Sequence, residues 1–220
     1  MHETLRQSIP FEEFDYQTLI DSLRGYAHPR KKITSMLRKG EIIRVKKGLY
    51  LFGESSRRSP FCRELLANLI YGPSCISLEY ALHYYGLTPE RAECITSVTC
   101  GRSRSFDTPV GHFSYRMITL AAFAIGIDRI ELADGRSFLM ATPEKALADR
   151  IMSDRGSGVS THKGLVAYLT DNLRIDSDAV SRLEPETVLT LAAAYRSRRL
   201  TLLAGVIKGL KITKPEESHA

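Results

Sequence analysis

The spacing of apolar residues changes at Gly40, and this change limits what the first part of the chain can form. Met36 and Leu37 follow Ile33 by three and four residues, so all three fall on one face of a helix. Pro29 suits the first helical position, and Gly40 suits the position just past the end. The sequence therefore predicts a helix between Pro29 and Gly40 with one apolar stripe.

The residues after Gly40 predict a β-hairpin. The run "EIIRVKKGLYLF" has two extended stretches on either side of a turn at residues 46–48. A shorter helix is predicted upstream, over residues 15–23, from its apolar spacing. Helix, short connection, helix and basic hairpin are successive elements of a winged helix-turn-helix. Such a domain lays its second helix in the major groove of DNA.

Basic residues are concentrated in this same stretch. Residues 30–47 contain eight lysines and arginines and one acidic residue, Glu41, a net charge of +7, whereas the whole chain carries +6. Such a local excess suits phosphate binding, although a solvated helix face is the alternative interpretation. The predicted DNA-binding residues are Arg30, Lys31, Lys32, Thr34, Ser35, Arg38, Lys39, Arg44, Lys46 and Lys47.

Different roles are expected within this set, because donors of different reach suit bases and phosphates. On the helix, the face opposite the apolar stripe should enter the groove, and the hairpin should meet phosphates. The groove-facing residues are Lys31, Thr34, Ser35 and Arg38, and the phosphate-facing residues are Arg44, Lys46 and Lys47.

A larger unit with both strands and helices is predicted downstream. The polar stretch "GESSRRSP", residues 53–60, is the best linker candidate. The predicted fold class is α+β, with a winged helix-turn-helix over residues 11–53, a mixed α/β domain with a helical C-terminal end over residues 59–212, and a frayed tail over residues 213–220. In the mixed domain we expect helices over residues 61–72 and 77–87, strands over 93–100, 104–109 and 111–118, a hairpin over 128–141, and helices from residue 142, over 185–195 and over 198–210.

Several classes of protein and site are not expected. The four cysteines contain no CxxC pair, so we expect neither a zinc site nor a disulfide. Neither GxxxxGK[ST] nor GxGxxG occurs, and no cofactor is expected. The start of the chain does not resemble a signal peptide, and the longest apolar run, Leu120 to Ile127, is too short for a membrane span. A cytoplasmic protein is therefore the expectation.

Two stretches of the second domain contain residues that could carry chemistry. In "ATPEKALADR", Glu144, Lys145 and Asp149 could form an acid/base set, but Lys145 and Asp149 are four residues apart and would form an i,i+4 ion pair on a helix. In "GRSRSF", Arg102 and Arg104 could add phosphate contacts or lie on an exposed hairpin. We predict no catalytic site. The five residues are interpreted as a possible functional surface of this domain.

Five stretches resemble a known family in order along the chain. "KKGLYLF", "ISLEYALHYYGLTPE", "ITSVT", "TPVGHFSY" and "ATPEKALADR" are similar to AbiEi-type antitoxins of bacterial abortive-infection toxin–antitoxin systems. The resemblance implies a winged helix that represses its own operon by binding inverted repeats in the promoter. It also implies a C-terminal domain that neutralises a cognate nucleotidyltransferase toxin, without requiring a stable complex with it.

Two other functions are left open by the residues. One is a stand-alone transcriptional regulator whose second domain senses a small molecule. The other is an enzyme that uses Glu144, Lys145 and Asp149, which would require a cleft that brings them to a substrate. On inverted-repeat DNA, two copies per operator are expected.

Overall fold

The computed structural model describes residues 2–154 and 159–213, with side chains from Leu5 to Ile212 apart from the gap. The chain is a mixture of helices and sheets, as predicted. Beyond Thr213, the predicted frayed tail lies outside the described residues. The helices are α1 (His2–Ser8), α2 (Tyr16–Ser22), α3 (Pro29–Arg38), α4 (Arg63–Ile70), α5 (Leu78–Tyr84), α6 (Leu120–Phe123), α7 (Pro143–Ser153), α8 (His162–Ala167), α9 (Ser177–Ser181), α10 (Pro185–Tyr195) and α11 (Arg198–Thr213). The strands are β1 (Glu13–Asp15), β2 (Ile42–Lys46), β3 (Leu49–Phe52), β4 (Ser74–Ile76), β5 (Ile95–Thr99), β6 (Arg104–Thr108), β7 (Gly111–Met117), β8 (Ile127–Glu131) and β9 (Ser137–Ala141).

The first part of the chain is a three-stranded antiparallel sheet with helices packed against it. The strand order is β1-β3-β2, and α3 contacts β2. Asp15 caps α2 by accepting a 2.7 Å hydrogen bond from the Thr18 backbone N–H. Pro29 begins α3, and Gly40 follows its end at φ +68°. The two predicted helices and the hairpin are confirmed, whereas α1 and β1 were not predicted.

The second part is built around a six-stranded mixed sheet of order β6-β7-β5-β4-β9-β8. The pairs β4–β9 and β5–β7 are parallel and the other neighbours are antiparallel. The predicted strands and the β8–β9 hairpin are confirmed. The sequence did not predict β4, which has only three residues and is buried throughout, so it shows no alternation between polar and apolar positions.

Helices complete the second part. Helices α4 and α5 and the start of α7 match the predicted segments, and Thr142 caps α7 by accepting a hydrogen bond from the Lys145 backbone N–H. Helix α10 has the predicted bounds and is followed by Arg196, whose φ of +51° is left-handed. Helix α11 packs along α10 and also contacts α7, α8 and α9. Within the described ranges, no helix is both long and apolar enough to cross a bilayer.

The first and second parts share buried contacts. Val45, Leu49 and Leu51 of the hairpin belong to the same hydrophobic core as the six-stranded sheet. The predicted linker is fixed as well, because the buried Glu12 carboxylate accepts bonds from the backbone N–H groups of Arg58 and Ser59 at 3.1 and 3.0 Å. The connection over residues 53–60 is therefore held against the first part.

Candidate nucleic-acid interface and the sheet groove

Helix α3 presents the face that the sequence predicted. Ile33 and Met36 are buried, while Lys31, Thr34 and Arg38 are exposed on the other side. These exposed residues are three and four apart, so they form a row along the helix. Ser35, the fourth predicted groove residue, is half-buried and contributes less to this row than expected.

Five basic side chains in this stretch are exposed and form no ion pair with any residue in the described ranges. We define them as the basic surface: Arg30, Lys31, Arg38, Arg44 and Lys47. Two other predicted residues contact neighbouring side chains. Lys39 lies 3.9 Å from the Glu41 carboxylate, and the Lys32 ammonium lies 5.6 Å from the centre of the Tyr26 ring. The charge of the basic surface is therefore not neutralised by neighbouring carboxylates.

The hairpin adds two of these charges from a second element. Arg44 lies two residues after Ile42, on the face of β2 that carries the core of the first part. Lys47 is exposed at the turn, where Gly48 has a φ of +89°. The left-handed backbone at Gly48 favours glycine and lets the turn project Lys47 into solvent.

Lys46 does not lie where the sequence interpretation expected it. The register of the hairpin shifts between Arg44 and Lys46, so the bulge turns Lys46 to the opposite face. Its ammonium donates to the carbonyl oxygen of Ile70 and lies 5.9 Å from the Phe106 ring centre. Lys46 thus contacts the second part of the chain, and we do not include it in the basic surface.

Lys145 and Asp149 form the predicted i,i+4 ion pair, with Nζ and Oδ1 3.3 Å apart, but both side chains are fully buried. Asp149 also accepts bonds from the hydroxyls of Ser77, at 2.7 Å, and Tyr195, at 2.6 Å. Ala122 O accepts a further bond from Lys145 at 2.9 Å. The two residues therefore do not belong to a surface, and their contacts hold α5, α7 and α10 together.

Burial has consequences for the ionisation of this cluster. It raises the pKa of the Asp149 carboxyl, and the Lys145 ammonium and the hydroxyls act in the opposite direction. Burial also raises the pKa of the Tyr195 hydroxyl. Ser77 directly precedes α5, but its hydroxyl donates to Asp149 and does not cap the helix.

The other members of the expected functional surface are dispersed. Glu144 is half-buried and accepts a 3.0 Å bond from the Glu184 backbone N–H. Arg102 and Arg104 are exposed before and within the edge strand β6, and the Arg104 guanidinium lies 5.6 Å from the Tyr71 ring centre. Only Lys145 and Asp149 of the five are brought together.

A polar groove opens on one face of the second sheet. It has a volume of about 870 Å³, and its floor includes Thr96, Ser105, Ser114 and Arg116 from three neighbouring strands. Its walls come from the start of α5 and the end of α7. We call this cavity the sheet groove.

Charged residues line the wall of the sheet groove. Arg150 is held by Glu79 at 3.1 Å and by Asp154 at 3.6 Å. Arg116 donates a 2.7 Å bond to Ser153 O, at the end of α7. A second cavity of about 770 Å³ shares Arg116 and Ser153 with it and reaches Asp149 and Tyr195.

Sequence reasoning singled out Arg104, which lines the sheet groove, but missed the strand residues of its floor. The available signal was alternation in β7, where Phe113 and Tyr115 are buried and Ser114 and Arg116 are not. This pattern predicts a strand with one wet face. It does not reveal that two helices, distant in sequence, enclose that face.

Comparison with known proteins gives no assignment. Neither the scan against protein-family models nor the search of curated proteins found a match.

Proposed function

We propose that this chain is a DNA-binding transcriptional repressor whose first part is a winged helix-turn-helix. The order helix, strand, helix, helix, strand, strand supports this proposal, as does the pairing of β1 with β3 of the hairpin. In this arrangement α3 is the recognition helix and the β2–β3 turn is the wing.

The observation that carries the proposal is the basic surface. Five exposed cations without a carboxylate partner in the described ranges occur within 18 residues, on a helix and on the adjacent hairpin. Cations that are free of intramolecular ion pairs can neutralise phosphates and release counterions without first breaking a contact. Thr34 and Arg38 on the exposed row supply hydrogen-bond donors for base edges.

The biological role that we propose is that of an antitoxin and autorepressor. This part of the proposal comes from the five stretches that resemble AbiEi-type antitoxins. Two copies bind inverted repeats in the protein's own promoter, and the second part of the chain counteracts a nucleotidyltransferase toxin. Its neutralising surface does not include Lys145 or Asp149, because both are fully buried.

DNA binding is tested with the full chain, because hairpin residues are buried against the second part. Fluorescence anisotropy would measure binding to a labelled duplex from the promoter region and to a scrambled duplex, at low and at moderate salt. We expect tighter binding to the promoter duplex and a steep loss of affinity with salt. Equal, weak binding to both duplexes at low salt would refute the proposal.

The antitoxin role is tested separately by co-expression. A neighbouring nucleotidyltransferase gene should arrest growth when expressed alone, and the full chain should restore growth. The variant Arg38→Ala should lose repression and still restore growth when expressed from an independent promoter, since the two roles use different parts of the chain. Failure of the wild-type chain to restore growth would refute the antitoxin role and leave DNA binding intact.

A further inference from the structure

We propose that the sheet groove binds a phosphorylated small molecule of about nucleotide size, with the Arg116 guanidinium as the principal phosphate ligand. This site is independent of DNA binding, because its residues lie in β5, β6, β7, α5 and α7. The sheet groove is lined by no residue of the basic surface and by neither member of the buried Lys145–Asp149 pair.

The chemistry of the groove floor differs from that of the opposite face of the same strands. On the opposite face, Phe113 and Tyr115 are buried, and the Tyr115 hydroxyl donates a 2.6 Å bond to Ala67 O of α4. On the groove face, Ser114 pairs in register with Thr96 on one side and with Ser105 on the other. Three hydroxyls therefore lie across adjacent strands. That of Thr96 donates to Ser77 O at 2.7 Å, so Ser105 and Ser114 supply the hydroxyls that a ligand would meet.

Arg116 adds positive charge that no described carboxylate neutralises. One guanidinium N–H donates to Ser153 O at 2.7 Å, which fixes the position of the side chain. The other N–H groups are available to an oxyanion, since a guanidinium carries five donors. Arg150 differs from Arg116, because the Arg150 guanidinium already forms ion pairs with Glu79 and Asp154. Its charge is therefore compensated. Arg104 also lines the groove, but its guanidinium lies 5.6 Å from the Tyr71 ring centre, and we assign the phosphate contact to Arg116.

The shape of the groove supports a ligand larger than a free phosphate ion. A volume of about 870 Å³ is within the range of small-molecule sites. The guanidinium of Arg116 suits a phosphate group, and the hydroxyls of Ser105 and Ser114, which line the same groove, suit a sugar.

Backbone strain at the groove wall is a second, independent observation. Leu78 lines the groove at the start of α5 and has a φ of +60°. A left-handed leucine is unfavourable, and such strain is concentrated at functional sites. The strained turn directly precedes Glu79, which positions Arg150. The surrounding contacts thus maintain an unfavourable conformation at the position where the groove is shaped.

The test uses the full chain and AMP as the probe, with adenosine and inorganic phosphate beside it. Calorimetry and thermal unfolding would measure binding to the wild type, Arg116→Gln and Arg129→Gln. Arg129 is a matched control, because it is exposed and donates one 2.9 Å bond, to Ser137 Oγ, from β8.

We expect AMP to bind and to raise the unfolding midpoint, adenosine to bind at least about tenfold more weakly, and Arg116→Gln to lose about tenfold or more in affinity. Arg129→Gln should bind AMP as the wild type does. Ser114→Ala, which removes one hydroxyl and keeps the charge, should weaken binding by a smaller factor.

Each of the following results would overturn the proposal: no AMP binding at millimolar concentration, unchanged affinity in folded Arg116→Gln, or equal losses in the Arg116 and Arg129 variants. A random DNA duplex serves as competitor and separates the two sources of phosphate. If the duplex displaced AMP, the groove would belong to a nucleic-acid surface and the small-molecule assignment would be wrong. If Arg116→Gln does not fold, Ser114→Ala provides the decisive comparison, and unchanged AMP affinity in that variant would overturn the proposal.

Discussion

Arg136 and Glu13 form an ion pair between residues that are 123 positions apart in the sequence. Arg136 precedes β9, and Glu13 begins β1, so the pair connects the two parts of the chain. The Glu13 side chain is only 1% exposed and that of Arg136 is 13% exposed. A carboxylate in this position depends on its partner, because removal of one partner leaves an uncompensated buried charge.

Arg136→Ala should therefore lower the free energy of unfolding by roughly 3 kcal/mol. Urea denaturation at neutral pH measures the change. Arg24→Ala is the control, because Arg24 forms an exposed pair with Asp21 at 2.8 Å and its loss should cost less than about 1 kcal/mol. Equal effects of the two substitutions would show that the Arg136–Glu13 pair does not stabilise the contact between the parts.

Lys47→Ala should lower affinity for all DNA sequences and reduce the slope of log K against log salt by about 0.9 for each lost phosphate contact. Lys46→Ala should leave that slope unchanged, since its ammonium is bound to Ile70 O. Anisotropy titrations over a salt series make the comparison. A smaller slope in Lys46→Ala, matching that of Lys47→Ala, would contradict the orientation that the hairpin bulge gives to Lys46.

Arg38→Ala should reduce the preference for promoter DNA over scrambled DNA, by about 1–3 kcal/mol if the side chain contacts a base edge. The measurement is the ratio of the two dissociation constants at one salt concentration. Lys163→Ala removes an exposed positive charge from α8 and serves as the control. If Arg38→Ala weakened both duplexes equally, Arg38 would be a phosphate contact and the assignment to the groove would be wrong.

Lys145→Met should lower the free energy of unfolding by roughly 3–5 kcal/mol, because it leaves the buried Asp149 carboxylate without its cation. Lys208→Met removes a surface partner of Glu186, 2.8 Å away, and should have a much smaller effect. Chemical denaturation of both variants provides the comparison.

The defect of Lys145→Met should also depend on pH. The pKa of Asp149 is raised above 3.8 by burial, and Lys145 opposes that rise, so the variant should have a still higher pKa in the folded state. A raised pKa in an acid favours folding at low pH and disfavours it as pH rises through the folded value. The difference from the wild type should therefore shrink as pH falls from 7 toward 4. A difference that is constant over this range would contradict the higher folded pKa expected for Asp149 in the variant.

Asp15→Ala should lower the free energy of unfolding by about 1 kcal/mol at neutral pH, through loss of the cap on α2. The bond to the Thr18 N–H lowers the pKa of Asp15 below 3.8. Its contribution is thus present above that value and is lost as pH falls through the folded pKa. Asp15→Asn, which keeps a capping oxygen, should retain most of the stability. A loss as large in Asp15→Asn as in Asp15→Ala would argue against the cap.

Local signals predicted much of the fold. Pro29 and Gly40 mark helix ends through backbone constraints, and Thr142 marks one through a side-chain cap. All three act within a few residues, and these predictions are confirmed. Features that depend on contacts between distant parts of the sequence were not predicted. The spacing predicted the Lys145–Asp149 pair, but nothing near it indicates that Ala122 O will bind Lys145 or that the pair will be fully buried. Likewise, nothing near Lys46 indicates the bulge that reverses its direction.

The basic surface and the sheet groove also differ in how far local sequence predicts them. The basic surface could be predicted because its charges lie within 18 residues. The groove could not, because Thr96, Ser114 and Arg150 come from elements that meet only in the assembled sheet and helices. Alternation within β7 identifies a solvent-exposed face of the strand. The concave shape of the groove depends on α5 and α7, which reach that face only through tertiary packing.

The burial of Val45, Leu49 and Leu51 against the second part restricts how such a protein can evolve. Exchange of residues 1–58 between relatives would transplant a hairpin whose inner face must match a foreign sheet. For a chain that binds DNA as proposed, point changes on the outer face of α3 should alter specificity without disturbing this packing, whereas exchange of whole segments would disturb it. The two parts of the chain should therefore evolve as a matched pair.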